Sequence, residues 1–187
     1  RIHGKLLGIS PDFTILDRDD SEDAINVIRS KLAFDTKHER FPKKRALMDV
    51  ISKTVNTSRD LEEILKQDYP HFEHLGEEVT LIRDKYREYK REMNMMDYDD
   101  LLVNLRDLLV DNDMLRRSIS RKYQYIMVDE FQDTNKLQGH ISALLASEQQ
   151  VVLRHDAVNA LVIGGVEPLR CERAVQQRRD PAIAVGR

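Results

Sequence analysis

The sequence predicts an α/β protein, mostly α by residue count, in which a helical lobe stands beside a small parallel sheet. Two observations carry that prediction. An apolar stripe runs from Phe72 through Leu75, Val79, Ile82, Tyr86, Tyr89 and Met93 to Met96. Its steps alternate three and four, which keeps one face of a long helix apolar. Further on, the β-prone run Tyr125-Ile126-Met127-Val128 passes directly into two carboxylates, Asp129 and Glu130. That is the pattern of a buried parallel strand with acids at its carboxyl end.

The elements follow in order. Asp20 or Ser21 can cap a first helix whose apolar positions are Ala24, Ile25, Ile28 and Leu32. Pro42 suits the first turn of a second, carrying Leu47, Val50, Ile51 and Thr54. Thr57 or Ser58 can cap a short third helix with Leu61, Ile64 and Leu65. The long stripe comes next. A lone two-stranded coiled coil is its structural alternative, disfavoured by two tyrosines in the seam and flanking charges without a clean pattern. Asp97 is a natural N-cap, with Asp100 placed where the helix dipole favours a negative charge, ahead of Leu101, Leu105 and Leu108. After the strand at Tyr125–Val128, Thr134 or Asn135 opens a helix with Leu137, Ile141 and Leu144 facing in. Gln150-Val151-Val152-Leu153 reads as the next strand.

Composition narrows the class. The chain has 187 residues, enough to bury a core, with 34% charged residues, 6% aromatic and no Trp, as suits exposed charged helices. A net charge of −3 gives no global attraction to nucleic acid, so any such contact must be local. Cys171 is the single cysteine, which excludes an internal disulfide and fits a reducing compartment. No apolar run reaches spanning length and no secretory pattern opens the chain, so the expectation is a cytoplasmic protein without a membrane partner.

The chemistry concentrates in Tyr123 to Asn135, YQYIMVDEFQDTN. An apolar strand ending in Asp-Glu is a common way to hold two acids at a sheet's carboxyl edge in nucleotide triphosphatases. One acid can hold a phosphate-bound Mg²⁺ and the next can orient or deprotonate the attacking water. Asp-Glu alone is weak, since strand-end acids often just cap a helix; Glu-Phe-Gln-Asp-Thr-Asn after the strand is far more specific. The segment resembles motif II of the UvrD-like DNA helicases of superfamily one, the Rep and PcrA group. Met96-Asp97-Tyr98-Asp99-Asp100-Leu101-Leu102 resembles the (M/L)DFDDLL segment upstream of it, and Gly4-Lys5-Leu6-Leu7-Gly8 with Phe13-Thr14-Ile15-Leu16-Asp17 resembles the start of the family's helical insert.

The resemblance covers roughly residues 1 to 150 and implies a P-loop-NTPase-like parallel sheet remnant with a large helical insert. On that reading residues 1–93 form a lobe like subdomain 1B, residues 94–153 part of nucleotide-binding subdomain 1A, and residues 154–187 an atypical tail. It implies ATP and Mg²⁺ as cofactors, with Asp129 on the metal, Glu130 activating water, and Gln132 and Asp133 coupling the nucleotide site to its neighbours. It implies single-stranded and duplex DNA as partners, with repair or replication proteins beside them, and 3′ to 5′ translocation driven by ATP. The phosphate loop, the adenine-reading Gln, an intact motif III and the second motor domain are not in this sequence, so the chain alone is expected to be inactive. A non-catalytic DNA- or protein-binding module and a part of a RecB-like helicase-nuclease stay open as alternatives.

From Gln149 the character changes. Arg154-His155-Asp156-Ala157-Val158-Asn159-Ala160 stands where motif III would be and lacks its Gly and Gln. Aromatics cease after Phe131 and lysines after Lys136, while Arg recurs six times from Arg154 onward. Gly164-Gly165 reads as a turn. Gly4-Lys5 is not a phosphate loop, because it lacks the GxxxxGK[ST] frame and a preceding strand. His71 and His74 share a helix face without further ligands, so zinc is disfavoured. Of the basic stretches Lys43-Lys44-Arg45, Arg83 to Arg91 and Arg116 to Lys122, the second can flank a DNA backbone, but a solvated face is favoured for each, and interspersed acids give the second one ion pairs.

Overall fold

The structure, a computed structural model, describes residues 2–34, 41–123, 125–129, 133–146, 150–155 and 159–164. The chain divides into two compact units, Arg1–Leu101 and Leu102–Arg187.

The first unit is a helical lobe. Strand β1 (Thr14–Ile15) leads into α1 (Arg18–Lys31), followed by α2 (Lys44–Thr57), α3 (Leu61–Asp68), a 3-10 turn (Pro70–Leu75), α4 (Gly76–Glu92) and strand β2 (Met95–Met96). The helices share one core, in which Ile25, Leu47, Ile64, Leu65, Leu75, Ile82 and Tyr86 are fully or almost fully buried. These are the positions that three-and-four spacing places on one face of each helix. Phe34 and Phe41 close one end, their ring centroids 5.3 Å apart.

Local boundaries differ from the sequence expectation in instructive ways. α1 begins three residues early: Asp17, not Asp20 or Ser21, is the N-cap, and its Oδ1 accepts from the Asp20 amide at 2.8 Å. The position is set by β1, whose end at Ile15 leaves Asp17 as the first residue free to turn. Ser58 does not cap α3; it ends α2 in the left-handed region at φ 52°, and Asp60 precedes α3. Pro42 lies just outside α2, which starts at Lys44. The long stripe is split. Tyr69-Pro70 and the tight turn after it hold residues 70–75 out of the helix, and Asn94 ends α4 at φ 51°. Leu75, Val79, Ile82 and Tyr86 are buried as the stripe requires, whereas Met93, past the helix end, is 53% exposed.

β1 and β2 pair in parallel, Thr14 with Met95 and Ile15 with Met96. The Thr14 amide donates to the Asn94 carbonyl at 3.0 Å and the Leu16 amide to the Met96 carbonyl at 2.8 Å. The lobe is thus tied shut where the chain enters and leaves it. α5 (Tyr98–Asp111) follows directly.

The second unit contains α6 (Asp113–Ser120), β3 (Tyr125–Val128), α7 (Lys136–Leu145), β4 (Gln150–His155) and β5 (Asn159–Gly164). β3 and β4 run parallel, with Ile126 opposite Val151 and Val128 opposite Leu153. β5 returns antiparallel to β4, placing a strand where the sequence reading has only an atypical tail and a Gly164-Gly165 turn. α7 packs against β3 and α6, burying Leu137, Ile141, Ala143 and Leu144. The β3–α7–β4 crossover is the connection that parallel strands require. No helix of the described residues is long and apolar enough to cross a membrane.

Candidate nucleotide-binding edge

β3 forms because four β-prone residues precede a break in apolar character. Ile126 and Val128 lie half-buried, less enclosed than the fully buried strand that the sequence predicts, and Met127 between them is 62% exposed. The alternation is that of a strand with one sheltered face. Asp129 follows at once, exposed, at the carboxyl end of a strand whose neighbour β4 is parallel. That edge is where open parallel sheets receive ligands.

Downstream, Asp133 is exposed and Thr134 buried. Asn135 then caps α7 through a reciprocal box: its Oδ1 accepts from the Gln138 amide at 2.8 Å, and Gln138 Oε1 accepts from the Asn135 amide at 3.1 Å. The cap fixes where α7 starts, directly after Asn135 and close behind Asp133. Glu130 and Gln132 lie outside the described residues. The structure therefore places Asp129 and Asp133 at the two ends of the segment that carries the predicted site.

Among the described residues no group of three His, Cys, Asp or Glu side chains is positioned to hold a metal. A nucleotide-bound Mg²⁺ asks for less, because it takes one or two carboxylates and completes its octahedron with phosphate oxygens and water. Asp129, an exposed hard-oxygen donor at the strand end, fits such a half-site and does not fit an all-protein cage.

A second ionisable cluster lies inside the lobe, and sequence reading missed most of it. Lys90, expected on a solvated basic face, is only 6% exposed. Its Nζ donates to Asp97 Oδ2 at 2.6 Å and lies 2.5 Å from Asp100 Oδ2. The Tyr86 hydroxyl donates to the same Asp97 oxygen at 2.9 Å, and Lys90 Nζ sits 4.4 Å from the Tyr86 ring centroid. Asp97 is the N-cap of α5 as predicted, its Oδ1 accepting from the Asp100 amide, while Asp100 Oδ2 accepts back from the Asp97 amide. Burial pushes the Asp97 carboxyl up, but the Lys90 charge and hydrogen bond outweigh it and hold the group below its ordinary value. Asp100 is shifted upward, by burial first and then by the Asp97 charge against the pull of Lys90. Burial, reinforced by Asp97, also pushes the Tyr86 phenol up. The signal for this cluster was present: Lys90 falls four residues after Tyr86, in line with the stripe. The dense charge around it disguised the position.

The other basic positions behave as solvated faces. Lys85 pairs with Glu88 at 2.6 Å, Arg83 with Asp84 at 2.9 Å, and Arg117 with Asp113 at 2.8 Å. His71 packs against Phe72, centroids 3.9 Å apart, rather than joining a ligand set with His74.

A parallel strand-helix-strand unit with an acid at the strand end, preceded along the chain by a helical lobe, is the α/β arrangement that the motif II resemblance implies. The chain belongs to the UvrD/REP helicase family: the model of the UvrD/REP helicase N-terminal domain matches residues 1–164. It is 30% identical to the DNA helicase II of Haemophilus influenzae over 155 residues, covering 82% of this chain and 20% of that protein. It is 29% identical to the ATP-dependent DNA helicase PcrA of Bacillus subtilis over 150 residues, 77% of this chain and 19% of that one. The ATP-dependent DNA helicase UvrD1 of Mycobacterium tuberculosis is 28% identical over 131 residues, 70% of this chain and 17% of the helicase. The chain thus spans about a fifth of the length of these curated relatives.

Proposed function

We propose that this chain supplies the motif II edge and the helical lobe of an ATP-dependent DNA helicase that moves 3′ to 5′ along single-stranded DNA and separates duplex. The observation that carries the reading is Asp129 at the carboxyl end of β3, in a parallel β3–α7–β4 unit. In this proposal residues 1–93 are the 1B-like lobe, residues 94–153 the partial nucleotide-binding subdomain, and residues 154–187 an appended tail.

Asp129 holds the Mg²⁺ that accompanies ATP; the metal supplies charge neutralisation on the phosphates. Glu130, next along the chain, accepts the proton of the attacking water. Gln132 and Asp133 link the nucleotide's state to neighbouring segments. Since α7 is capped rigidly at Asn135, a change at Asp133 has a fixed element to push against. By itself the chain lacks donors for the phosphates, and Asp129 with Glu130 would repel an unneutralised polyphosphate. Arginines brought to the transition state, which in related phosphoryl-transfer sites contribute about 10³–10⁵ in rate, would come from a second motor domain.

The test uses the chain joined to the phosphate loop and second motor domain of a relative. Glu130→Gln should lower ATP turnover by about 10²–10⁴-fold, the usual contribution of a positioned proton acceptor, with ATP binding retained. Asp129→Ala should instead weaken Mg²⁺-dependent nucleotide binding. Turnover at the parental rate in Glu130→Gln would defeat the assignment, as would ATPase activity of the 187-residue chain alone that vanishes in that variant.

A further inference from the structure

The three acids at the start of α5 are each held by another helix of the lobe. Lys90 Nζ, on α4, lies 2.6 Å from Asp97 Oδ2 and 2.5 Å from Asp100 Oδ2. The Tyr86 hydroxyl, one turn back on α4, reaches the same Asp97 oxygen at 2.9 Å. Asp99 accepts at 3.0 Å from Asn56 Nδ2 of α2, and Asn56 is itself anchored to Ser52, one turn earlier in its own helix. Asp97 also caps α5, its Oδ1 taking the Asp100 amide while its Oδ2 takes Lys90 and Tyr86. The carboxylate that starts the helix is thus fastened by α4.

Burying such a group is a poor route to stability. Taking an ammonium and two carboxylates out of water costs about as much as their attraction returns, and apolar residues of similar volume fill such sites equally well. What apolar packing does not supply is direction, because hydrogen bonds weaken steeply when they bend and dispersion contacts do not. Bonds from α4 and α2 to three acids within one turn fix the rotation of α5 as well as its starting point. α5 then runs past Leu101, where the first compact unit ends, and on to Asp111. Only α6 separates it along the chain from β3, whose end carries Asp129.

We propose that Lys90, Tyr86 and Asn56 are positioning residues, which lock the start of α5 to the lobe so that DNA engaged by the lobe acts through α5 on the segment carrying Asp129. The consequence for turnover rests on the helicase reading; the lock itself lies wholly within the first unit.

The triple variant Lys90→Met, Asp97→Asn, Asp100→Asn removes the cluster's charges together and keeps a good N-cap at residue 97. In the 187-residue chain it should melt close to the parent, because no charge is left buried alone. The amides of residues 97, 100 and 101 should nevertheless lose protection from hydrogen exchange, while those of residues 79–86 keep theirs. In the motor completed from a relative, basal ATP turnover and KM for ATP should hold at parental values. Stimulation of turnover by single-stranded DNA should fall at least about fivefold, the low end of coupling between distinct sites. Asn56→Ala, which leaves the buried charges in place, should give the same pattern more weakly. A merely structural cluster would lower the melt and all turnover together; that result, or parental exchange with parental stimulation in the triple variant, overturns the inference. A parental motor whose turnover ignores DNA would sink the helicase reading instead, and the exchange measurement on the chain alone then decides the lock.

Discussion

The lobe and the motif II unit solve opposite problems. The lobe buries large side chains from four helices around Ile25, Leu47, Ile64 and Ile82, and its buried Lys90 is matched by two carboxylates and a phenol. The edge at β3 keeps Met127, Asp129 and Asp133 exposed, and its definition comes from a helix cap and a strand end. Buried side chains from four helices define the lobe, whereas a strand end and a helix cap define the described part of the β3 edge. The difference teaches that long-range packing sets position in one region and local backbone geometry sets it in the other.

Lys90 offers the strongest way to break that comparison. Lys90→Met leaves Asp97 buried with one hydroxyl in place of a cation, and loss of one partner of a buried pair costs about 3–5 kcal/mol. Chemical denaturation monitored by circular dichroism should show it. The pH response should weaken or invert as well. In the parent, the folded Asp97 carboxyl titrates below its ordinary value of 3.8, so the folded state binds fewer protons than the unfolded chain. Its stabilising contribution is therefore present above that value and is lost as pH falls from there through the lower folded value. Without Lys90, burial is opposed only by the Tyr86 hydroxyl and the Asp100 amide, so the carboxyl should rise and the loss of stability on acidification should shrink or reverse. A parent-like pH profile in Lys90→Met would show that the pair does not dominate the site.

A smaller effect sharpens the other side. Asn135→Ala removes the acceptor for the Gln138 amide and should cost about 1 kcal/mol, read as faster amide exchange in the first turn of α7. Because Asp133 lies just ahead of that cap, ATPase coupling in the joined motor should suffer more than global stability does. Smallest of all, Ala33 sits at φ 54° beyond the end of α1, where a Cβ is unfavourable. Ala33→Gly should raise the midpoint of the lobe's thermal unfolding slightly, by an amount equivalent to no more than about 1 kcal/mol.

Much of this was legible in the chain. The apolar faces of α1, α2, α3 and α7 follow from spacing alone, and Asp97 and Asn135 cap where small polar residues precede apolar periodicity. Residues 150–153 read as a strand because four residues, three of them apolar, follow a polar break. Less legible was anything set at long range. In Asp17-Arg18-Asp19-Asp20 three acids compete to cap α1, and the choice is made by pairing with Met95 and Met96, far along the chain. β1 and β2 are two residues each, too short for a periodic signal. The burial of Lys90 was masked by its charged neighbours. Of the site, Asp129 at a strand end was readable from the strand that precedes it, since the transition from apolar run to acid is itself the structural event.

The tiny parallel ladder between β1 and β2 has an architectural meaning. It joins Thr14 to Met95, so the whole helical excursion begins and ends at one point. Closing a flexible loop of that span carries a length-dependent entropic penalty of roughly 4 kcal/mol, which the helical core offsets by folding. Once folded, the excursion has its two ends held side by side by two residue pairs. Chain length between ends pinned in this way can change while both ends keep their positions.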